Sequence, residues 1–462
     1  MNDMIRRDLK HIWHPYTQMK DCQKMPPIFI DKAKGIKLYD DKGNFYYDTI
    51  SSWWCNVHGH NHPRIKNAIK RQLDRLEHVL FAGFTHEKAI LLAERLVAIS
   101  PKNLTKVFFS DNGSTAVETA LKLSFQYWNN IGHAKKNKFI SLDRGYHGDT
   151  VGAMSVSGVG MFNVIFKDLL FKSYKAPAPY CYRCPMVKRG QAFLSSNAKE
   201  KCLSPFYPAC SFECVKALEA ILKKNSSQIS AFILEPLVMA AGGMIIYPKE
   251  YLAAAAGLAK KYNVHLIVDE VATGFGRTGK MFACDHVNIA PDFMCLSKGI
   301  TSGYLSLGAT LTSDEIYDAF YGDDKAKTFY HGHTYTANPV SCAAALASLE
   351  LFREEDTLGR VKGLAPMFRD QLDGLRRLPV VGDVRSIGMI GAIELVRDKK
   401  TKEMFDPERR LSLDIYRAGL ERSIILRPLG DVIYLFPPLS VKECELDYIL
   451  KAAGEVIECI RP

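Results

Sequence analysis

Two apolar stretches of the chain each end in one ionisable residue, and these two residues carry opposite charges. The first stretch, VHLIVDE, is an aliphatic run that reaches Asp269, and the second, DFMCLSKGI, reaches Lys298. Runs of this kind are typical of strands that are buried on both faces of a parallel sheet. Ligands of open α/β sheets bind beyond the carboxyl ends of the strands, so we expect Asp269 and Lys298 to face one crevice.

An amine and a carboxylate that face one crevice suit pyridoxal phosphate. This cofactor needs a lysine amine for its aldehyde and, across the ring, an acid that keeps the pyridine nitrogen protonated. The pair alone is weak evidence for this cofactor. A lysine after a strand is usually solvated, and an aspartate after a strand usually caps the next helix. Gly274, Gly276 and Gly279 also fit a dinucleotide-binding G-x-G-x-x-G pattern, but no amphipathic helix follows them, which argues against that interpretation.

The segment between the two residues carries a family resemblance. DEVATGFGRTGKMFACDH followed by SKG resembles the active-site core of the class III aminotransferases, and further motifs extend the resemblance over nearly the whole chain. The resemblance implies an α/β fold of the pyridoxal-phosphate-dependent transferase fold type I. A large domain would hold a mostly parallel seven-stranded sheet, and both termini would form a smaller α+β domain. The implied segments are an arm and meander (1–63), the large cofactor-binding domain (64–336), and the small domain with its linking helix (337–462).

Composition is typical of a globular protein with a large core. A chain of 462 residues with 47% hydrophobic composition can bury a large core. No uninterrupted apolar run is long enough to span a membrane, and MNDMIRRDLKHIW lacks an apolar signal core, so we expect a cytoplasmic protein without a membrane partner. The formal charge of +11 is spread along the chain, so nucleic-acid binding is not expected.

Hydrophobic periodicity predicts the elements around the motifs. Helices are expected in RIKNAIKRQLDRL after Pro63 and in HEKAILLAERLVAIS before Pro101, both packed on the large sheet. KVFFS predicts a strand at 106–110, and SGYLSLGAT after Lys298 predicts an antiparallel edge strand. Strands that alternate with helices favour a mostly parallel sheet.

The start of one predicted helix is a candidate phosphate site. Gly113 and Ser114 open DNGSTAVETALKLSFQYW, where free backbone N–H groups and the helix dipole favour an anion. Such caps are equally common without a ligand. In the class III family the matching turn holds the cofactor phosphate, so the resemblance assigns both residues to it. The flat ring of Tyr146 is expected to stack on the pyridine ring, whereas His147 beside it is interpreted as structural.

Aromatic and basic residues near both termini predict the substrate pocket. Aromatic residues close to an N-terminus usually pin an arm to the body of a protein. In class III members that carry both HPYTQM and SSWW, the matching residues line the substrate pocket, which implies the same for Tyr16 and Trp53. RPLGDVIYLFPP similarly implies that Arg427 binds a substrate carboxylate in a bidentate pair that lysine would not reproduce, with Tyr434 in the same pocket.

A further motif implies a homodimer. KTFYHGHTYTANPVSCAAAL resembles the HG-x-T-x-x-x-NP motif of the family, in which the threonine reaches the cofactor phosphate across the dimer interface. In this chain the matching residues are Gly332 and Thr334. The resemblance implies that Gly332 also lies next to the substrate. The resemblance therefore implies active sites that are shared between two subunits.

Together these motifs imply amination of 8-amino-7-oxononanoate to 7,8-diaminononanoate in biotin biosynthesis. Lys298 would hold the cofactor and move the reacting proton, with Asp269 and Tyr146 against the ring. S-adenosylmethionine is the expected amino donor, and lysine is the alternative. Another class III ω-aminotransferase, of the acetylornithine or 4-aminobutyrate type, stays open, although SSWW and HPYTQM argue against it. The non-enzymatic alternative is a cofactor-binding scaffold with a Cys-rich interaction loop.

An insertion at about 178–218 is rich in cysteine. In a chain without a secretion signal we expect reduced thiols. Thiolates at this spacing can hold a structural zinc ion, but the segment is an inserted loop and the family chemistry needs no metal. No catalytic metal is predicted, and a structural site remains an alternative with five candidates: Cys181, Cys184, Cys202, Cys210 and Cys214.

Overall fold

The fold is built around one seven-stranded sheet. The computed structural model describes residues 2–158, 160–184, 210 and 212–461. Its strands are β1 (Ile30–Lys34), β2 (Lys37–Asp40), β3 (Phe45–Tyr47), β4 (Lys106–Ser110), β5 (Lys138–Leu142), β6 (Tyr174–Ala176), β7 (Ile229–Leu234), β8 (Val238–Met239), β9 (Ile245–Ile246), β10 (His265–Asp269), β11 (Phe293–Leu296), β12 (Gly308–Thr312), β13 (Val381–Ile387), β14 (Ile390–Leu395) and β15 (Val432–Leu435).

The strand order of the large sheet places the two ionisable residues side by side. The order is β4-β12-β11-β10-β7-β5-β6. β10 is parallel to both neighbours, and Asp269 pairs with Cys295 of β11, shortly before Lys298. The mostly parallel sheet is thereby confirmed. The strand predicted from SGYLSLGAT is antiparallel, but its prediction as an edge strand was wrong, because β12 pairs with β4 as well as with β11.

Helices cover both faces of this sheet. They are α1 (Asp3–His11), α2 (Met19–Lys24), α3 (Ser51–Trp54, a left-handed turn), α4 (Pro63–Leu73), α5 (Glu87–Ile99), α6 (Gly113–Asn130), α7 (Val151–Val156), α8 (Gly160–Asn163), α9 (Glu213–Asn225), α10 (Lys249–Lys261), α11 (Asp314–Asp318), α12 (Pro339–Glu354), α13 (Thr357–Gly374), α14 (Leu411–Glu421) and α15 (Glu443–Glu458). None of the helices in the described part of the chain is long and apolar enough to cross a membrane.

Helix α4 differs from its predicted packing. Its buried residue Ile65 lies in a small cluster with Ala344, Ala347 and Leu351 of α12, so the helix packs on another helix and not on the sheet. Leu73, which the helical period of the sequence places on the same face as Ile65, is 53% exposed. The periodicity located the helix correctly but did not identify the surface that covers it.

Both ends of the chain meet in a smaller α+β region. The antiparallel strands β1, β2 and β3 form one small sheet, and β13, β14 and β15 form another. The amide of Phe436 donates to Thr49 O at 2.7 Å, and the amide of Ile425 donates to Tyr47 O at 3.1 Å. The segment that carries Trp53 is therefore attached to the segment that carries Arg427. The exact domain boundaries remain predictions.

Candidate active site

Lys298 lies just beyond the carboxyl end of β11, as the first residue of a 3₁₀ turn, Lys298–Thr301. Its backbone has a positive φ of 47°. The amine Nζ lies 4.4 Å from the centroid of the Trp54 ring. Burial lowers the pKa of Lys298, while the negative charge of Asp269 opposes that shift. A larger fraction of the amine is consequently uncharged at neutral pH than in water.

Asp269, the last residue of β10, is held from two sides. Its Oδ2 lies 2.8 Å from His147 Nδ1, and its Oδ1 accepts the backbone N–H of Val271 at 3.1 Å. Asp269 and His147 are only 4% and 3% exposed. We interpreted His147 as structural from the sequence, and the structure places it in direct contact with the acid. The only signal in the sequence is its position beside Tyr146 in the loop that follows β5.

The start of helix α6 lies against the same region. Ser114 Oγ lies 2.7 Å from Thr150 Oγ1 and accepts the backbone N–H of Thr150 at 3.1 Å. A Cβ atom on Gly113 would come within 2.6 Å of Val271 Cγ1, so a larger residue here would displace the Val271 side chain. The helix N-terminus thus closely approaches the loop after Asp269. Its free N–H groups would suit the phosphate of a cofactor whose ring lay between Asp269 and Lys298.

The N-terminal arm brings Tyr16 to this crevice. The Tyr16 hydroxyl donates to Asp149 Oδ2 at 2.5 Å and lies 3.2 Å from the Tyr146 hydroxyl. The Tyr16 ring is edge-on to Trp53 and Phe162, at centroid distances of 5.5 and 5.4 Å. Burial and the bond to Asp149 raise the pKa of Tyr16 to about 12. Asp149 and Phe162 were not identified from the sequence, since each contacts residues that are distant along the chain.

Tyr146 is fixed by a buried acid. Its backbone N–H donates to Glu235 Oε1 at 3.0 Å, and Glu235 Oε2 accepts the N–H of Ala240 at 2.8 Å. Burial, followed by the charge of Asp269, raises the pKa of Glu235 to about 8. Glu235 therefore holds the loop that presents Tyr146 while it remains largely protonated.

Arg427 lies at the outer wall of the crevice. Its guanidinium carbon is 4.6 Å from the centroid of the Trp53 ring. Tyr434 is 1% exposed and packs edge-on against Trp54 at a centroid distance of 6.0 Å. Tyr434 therefore lies behind Trp54 and supports the wall, whereas Trp53 and Arg427 are part of its surface.

Trp53 and Trp54 belong to an unusual left-handed turn. The φ angles of Ser51, Ser52, Trp53 and Trp54 are 53°, 45°, 74° and 73°. Such a conformation costs about 1–2 kcal/mol per L-residue and is associated with functional sites. Asp48 stabilises the turn, because it accepts the N–H of Ser52 at 2.8 Å and its Oγ–H at 2.7 Å.

Two further residues connect this turn to the lysine. Ser302 Oγ accepts the backbone N–H groups of Val57 and His58 at 3.0 and 2.9 Å. Arg277 donates to Pro437 O at 2.6 Å, and its guanidinium lies 4.5 Å from the Phe436 ring centroid. Burial lowers the pKa of Arg277 to about 9. The sequence showed Arg277 only as a member of the GFGRTG motif.

Gly332 and Thr334 lie apart from the enclosed residues. Both are exposed in the loop before α12. The same loop is attached to the start of the α6 region, because His333 Nδ1 lies 3.0 Å from Asp111 Oδ2. Both residues therefore stand on an outer surface of the chain.

The cysteine candidates are only partly described. Cys181, Cys184, Cys210 and Cys214 lie within the described residues, and Cys202 lies outside them. Among the described residues, no three His, Cys, Asp or Glu side chains come together in a way that could hold a metal ion.

Comparisons with known proteins agree with this geometry. The family model "Aminotransferase class-III" matches residues 18–457. An adenosylmethionine-8-amino-7-oxononanoate aminotransferase from Geobacter sulfurreducens is 45% identical over 98% of this chain and 97% of its own. The crystal structure of the enzyme of that name from Methanocaldococcus jannaschii has a TM-score of 0.91 and 42% identity, covering 99% of both chains. A pyridoxal-phosphate-bound amine transaminase from an uncultivated Pseudomonas species has a TM-score of 0.89 and 34% identity, covering 97% of this chain and 98% of its own. The chain therefore belongs to the class III aminotransferases, the pyridoxal-phosphate-dependent enzymes that its Lys298 and Asp269 motifs resemble.

Proposed function

We propose that this aminotransferase converts 8-amino-7-oxononanoate to 7,8-diaminononanoate in biotin biosynthesis, with S-adenosylmethionine as the amino donor. One observation carries the proposal: Trp53 contacts both Tyr16 and Arg427, and the next residue, Trp54, lies against the lysine amine. An aromatic wall with a cation suits a long aliphatic ketone that ends in a carboxylate. Curated relatives at 44–46% identity over nearly the full chain have names that state this activity.

The residues around Lys298 and Asp269 fit the cofactor. Pyridoxal phosphate, when bound, supplies an electron-accepting ring. The N–H groups at Gly113 and Ser114 would bind its phosphate. Asp269, oriented by His147, would hold a proton at the pyridine nitrogen. The uncharged amine of Lys298 takes the proton from the donor carbon and later returns one to the acceptor carbon, and its lowered pKa favours this exchange.

The remaining residues bind and orient the two substrates. Arg427 pairs with the carboxylate of the acceptor, and Trp53 covers its aliphatic chain. Tyr16 closes the crevice from the arm through its bond to Asp149. The sulfonium of S-adenosylmethionine is a cation that the aromatic faces of Tyr16 and Trp53 attract. The names of the curated relatives state adenosylmethionine, which supports this donor over lysine.

A half-reaction tests the donor. Purified protein loaded with pyridoxal phosphate should be yellow, and S-adenosylmethionine should bleach the visible absorbance whereas lysine should not. Bleaching by lysine alone would reassign the donor. Lys298→Ala should abolish turnover with either donor.

A second experiment tests the acceptor. Arg427→Ala should leave the donor half-reaction intact but lower kcat/KM for 8-amino-7-oxononanoate by roughly 100-fold, as expected when one side of a charged pair is removed. Arg427→Lys should recover little of the loss, because lysine lacks the planar fork. An unchanged kcat/KM in Arg427→Ala would contradict the assignment.

We further propose a homodimer whose sites are shared. The exposed Gly332 and Thr334 support this arrangement, because a phosphate-binding threonine on an outer surface suits a neighbouring subunit. Inactive Lys298→Ala and Thr334→Arg proteins should regain activity after they are mixed and allowed to exchange subunits. The mixed dimer would contain one site with both native residues. No recovery in mixed dimers would show that the sites are not shared.

A further inference from the structure

The left-handed turn presents consecutive tryptophans to two different basic side chains of the pocket. Trp54 lies 4.4 Å from Lys298 Nζ, and Trp53 lies 4.6 Å from Arg427 Cζ, each measured to the ring centroid. Because the two tryptophans are neighbours in one turn, the backbone angles of that turn fix the relative positions of the two rings. The same angles therefore fix where the pocket wall stands relative to the reacting amine and to the carboxylate-binding cation.

The turn is held in place by a buried polar network. Asp48 is fully buried and accepts two hydrogen bonds from Ser52. His60 Nε2 lies 2.8 Å from the same carboxylate, and His60 Nδ1 lies 3.1 Å from the Asn56 amide. On the far side, Ser51 Oγ donates to Phe436 O at 2.6 Å. Since L-residues disfavour this conformation, loss of these bonds would let the turn relax and move both rings.

We propose that the Ser51–Trp54 turn, clamped by Asp48, makes the enzyme select its acceptor by chain length. The inference rests on the proposed function, in which the reacting carbonyl lies at Lys298 and the terminal carboxylate at Arg427. An acceptor that is one methylene shorter cannot satisfy both ends while Trp53 and Trp54 keep their positions. Ser52 and Asp48 are thus positioning residues that act through the two tryptophans.

The test compares two acceptors in two variants. Wild-type enzyme should prefer 8-amino-7-oxononanoate over the homologue with one methylene fewer by about tenfold or more in kcat/KM, the usual range for one methylene. Ser52→Gly tolerates the positive φ of 45° but frees the backbone and removes the Oγ bond to Asp48. We expect its preference to fall to about threefold or less. Asp48→Asn weakens the same clamp from the other side and should shift the preference in the same direction.

A matched control and the donor half-reaction separate selection from general damage. Asn263→Gly makes the same kind of change at a positive φ of 51°, before the amino end of β10, and should keep the wild-type preference. Saturating S-adenosylmethionine should still bleach Ser52→Gly completely, because Lys298 is intact, while the concentration that gives half-maximal bleaching should rise because Trp53 moves. A wild-type preference in Ser52→Gly would overturn the inference even if the enzyme aminates 8-amino-7-oxononanoate. If wild-type enzyme does not aminate that ketone at all, the proposed function fails instead.

Discussion

At the scale of single residues, the buried contact between His147 and Asp269 leads to a prediction about catalysis. The contact is 2.8 Å long and joins residues 122 positions apart. A buried hydrogen bond to a charged group contributes about 1.5–3 kcal/mol, so His147→Ala should lower kcat by roughly 10- to 100-fold. His147→Asn keeps a donor and should recover part of the loss. Steady-state kinetics at saturating substrate check this, and an unchanged kcat in His147→Ala would show that Asp269 does not need the imidazole.

A second residue-scale prediction concerns pH. Burial raises the pKa of Glu235 to about 8, whereas glutamate in an unfolded chain has a pKa near 4.3. Between these values the folded state binds more protons than the unfolded state, so the free energy of unfolding should fall as pH rises through this window. The slope should be at most about 1.4 kcal/mol per pH unit. Urea titrations at several pH values measure it, and Glu235→Gln should give a flatter profile. Parallel profiles would contradict the assignment.

At the scale of elements, the position of the N-terminal arm should depend on an ion pair as well as on the contacts of Tyr16. Asp21 of α2 forms a two-pronged pair with Arg410, just before α14, and this pairing lowers the pKa of Asp21. The Arg410 side chain is 48% exposed, so the effect of the pair should be small. We expect Arg410→Ala to raise the KM for the acceptor by roughly twofold, leave kcat unchanged and speed proteolysis near residue 20. Arg409→Ala next to it is the control, and equal KM values in both variants would argue against this anchor.

At the scale of the whole molecule, Arg385 links the C-terminal sheet to the large-sheet region. Its guanidinium contacts Glu394 at 2.8 Å and Asp383 at 3.0 Å, and it donates to the carbonyls of Gly243 and Met244, each at 2.7 Å. Removing one partner of a buried ion pair costs about 3–5 kcal/mol. Arg385→Ala should lower the free energy of unfolding by that amount in urea titrations.

The control for this prediction is an ion pair on the surface. Arg397 and Glu403 lie 2.6 Å apart with side chains that are 55% and 47% exposed. Such pairs contribute little, so Arg397→Ala should change the free energy of unfolding by less than about 1 kcal/mol. Similar losses in Arg385→Ala and Arg397→Ala would show that the buried network does not stabilise the junction.

Much of the fold could be predicted from the sequence, because its signals are local. The predicted strand at 106–110 is β4, and the helices predicted within 64–76 and 86–100 are α4 (Pro63–Leu73) and α5 (Glu87–Ile99). Apolar runs and capping residues determine these elements within a few positions. The interior place of β12 could not be predicted, since strand order depends on pairing between distant segments.

Residues of the site could be predicted from the sequence only where a single motif contains them. Lys298 and Asp269 each end an apolar run, so their placement beside one another follows from the parallel sheet. Phe162, Asp149 and Asp48 act through contacts that no short motif encodes. The left-handed turn could not be predicted either, because serine and tryptophan have no local preference for positive φ.

The bonds that Ser302 accepts have a consequence for protein engineering. They fasten the segment that follows the tryptophans to the turn that starts at Lys298, over separations of 245 and 244 residues. A graft of 48–60 alone into a related scaffold without this hydroxyl would leave two amides unpaired. The transplantable module is consequently discontinuous, and it consists of 48–60 together with 297–303.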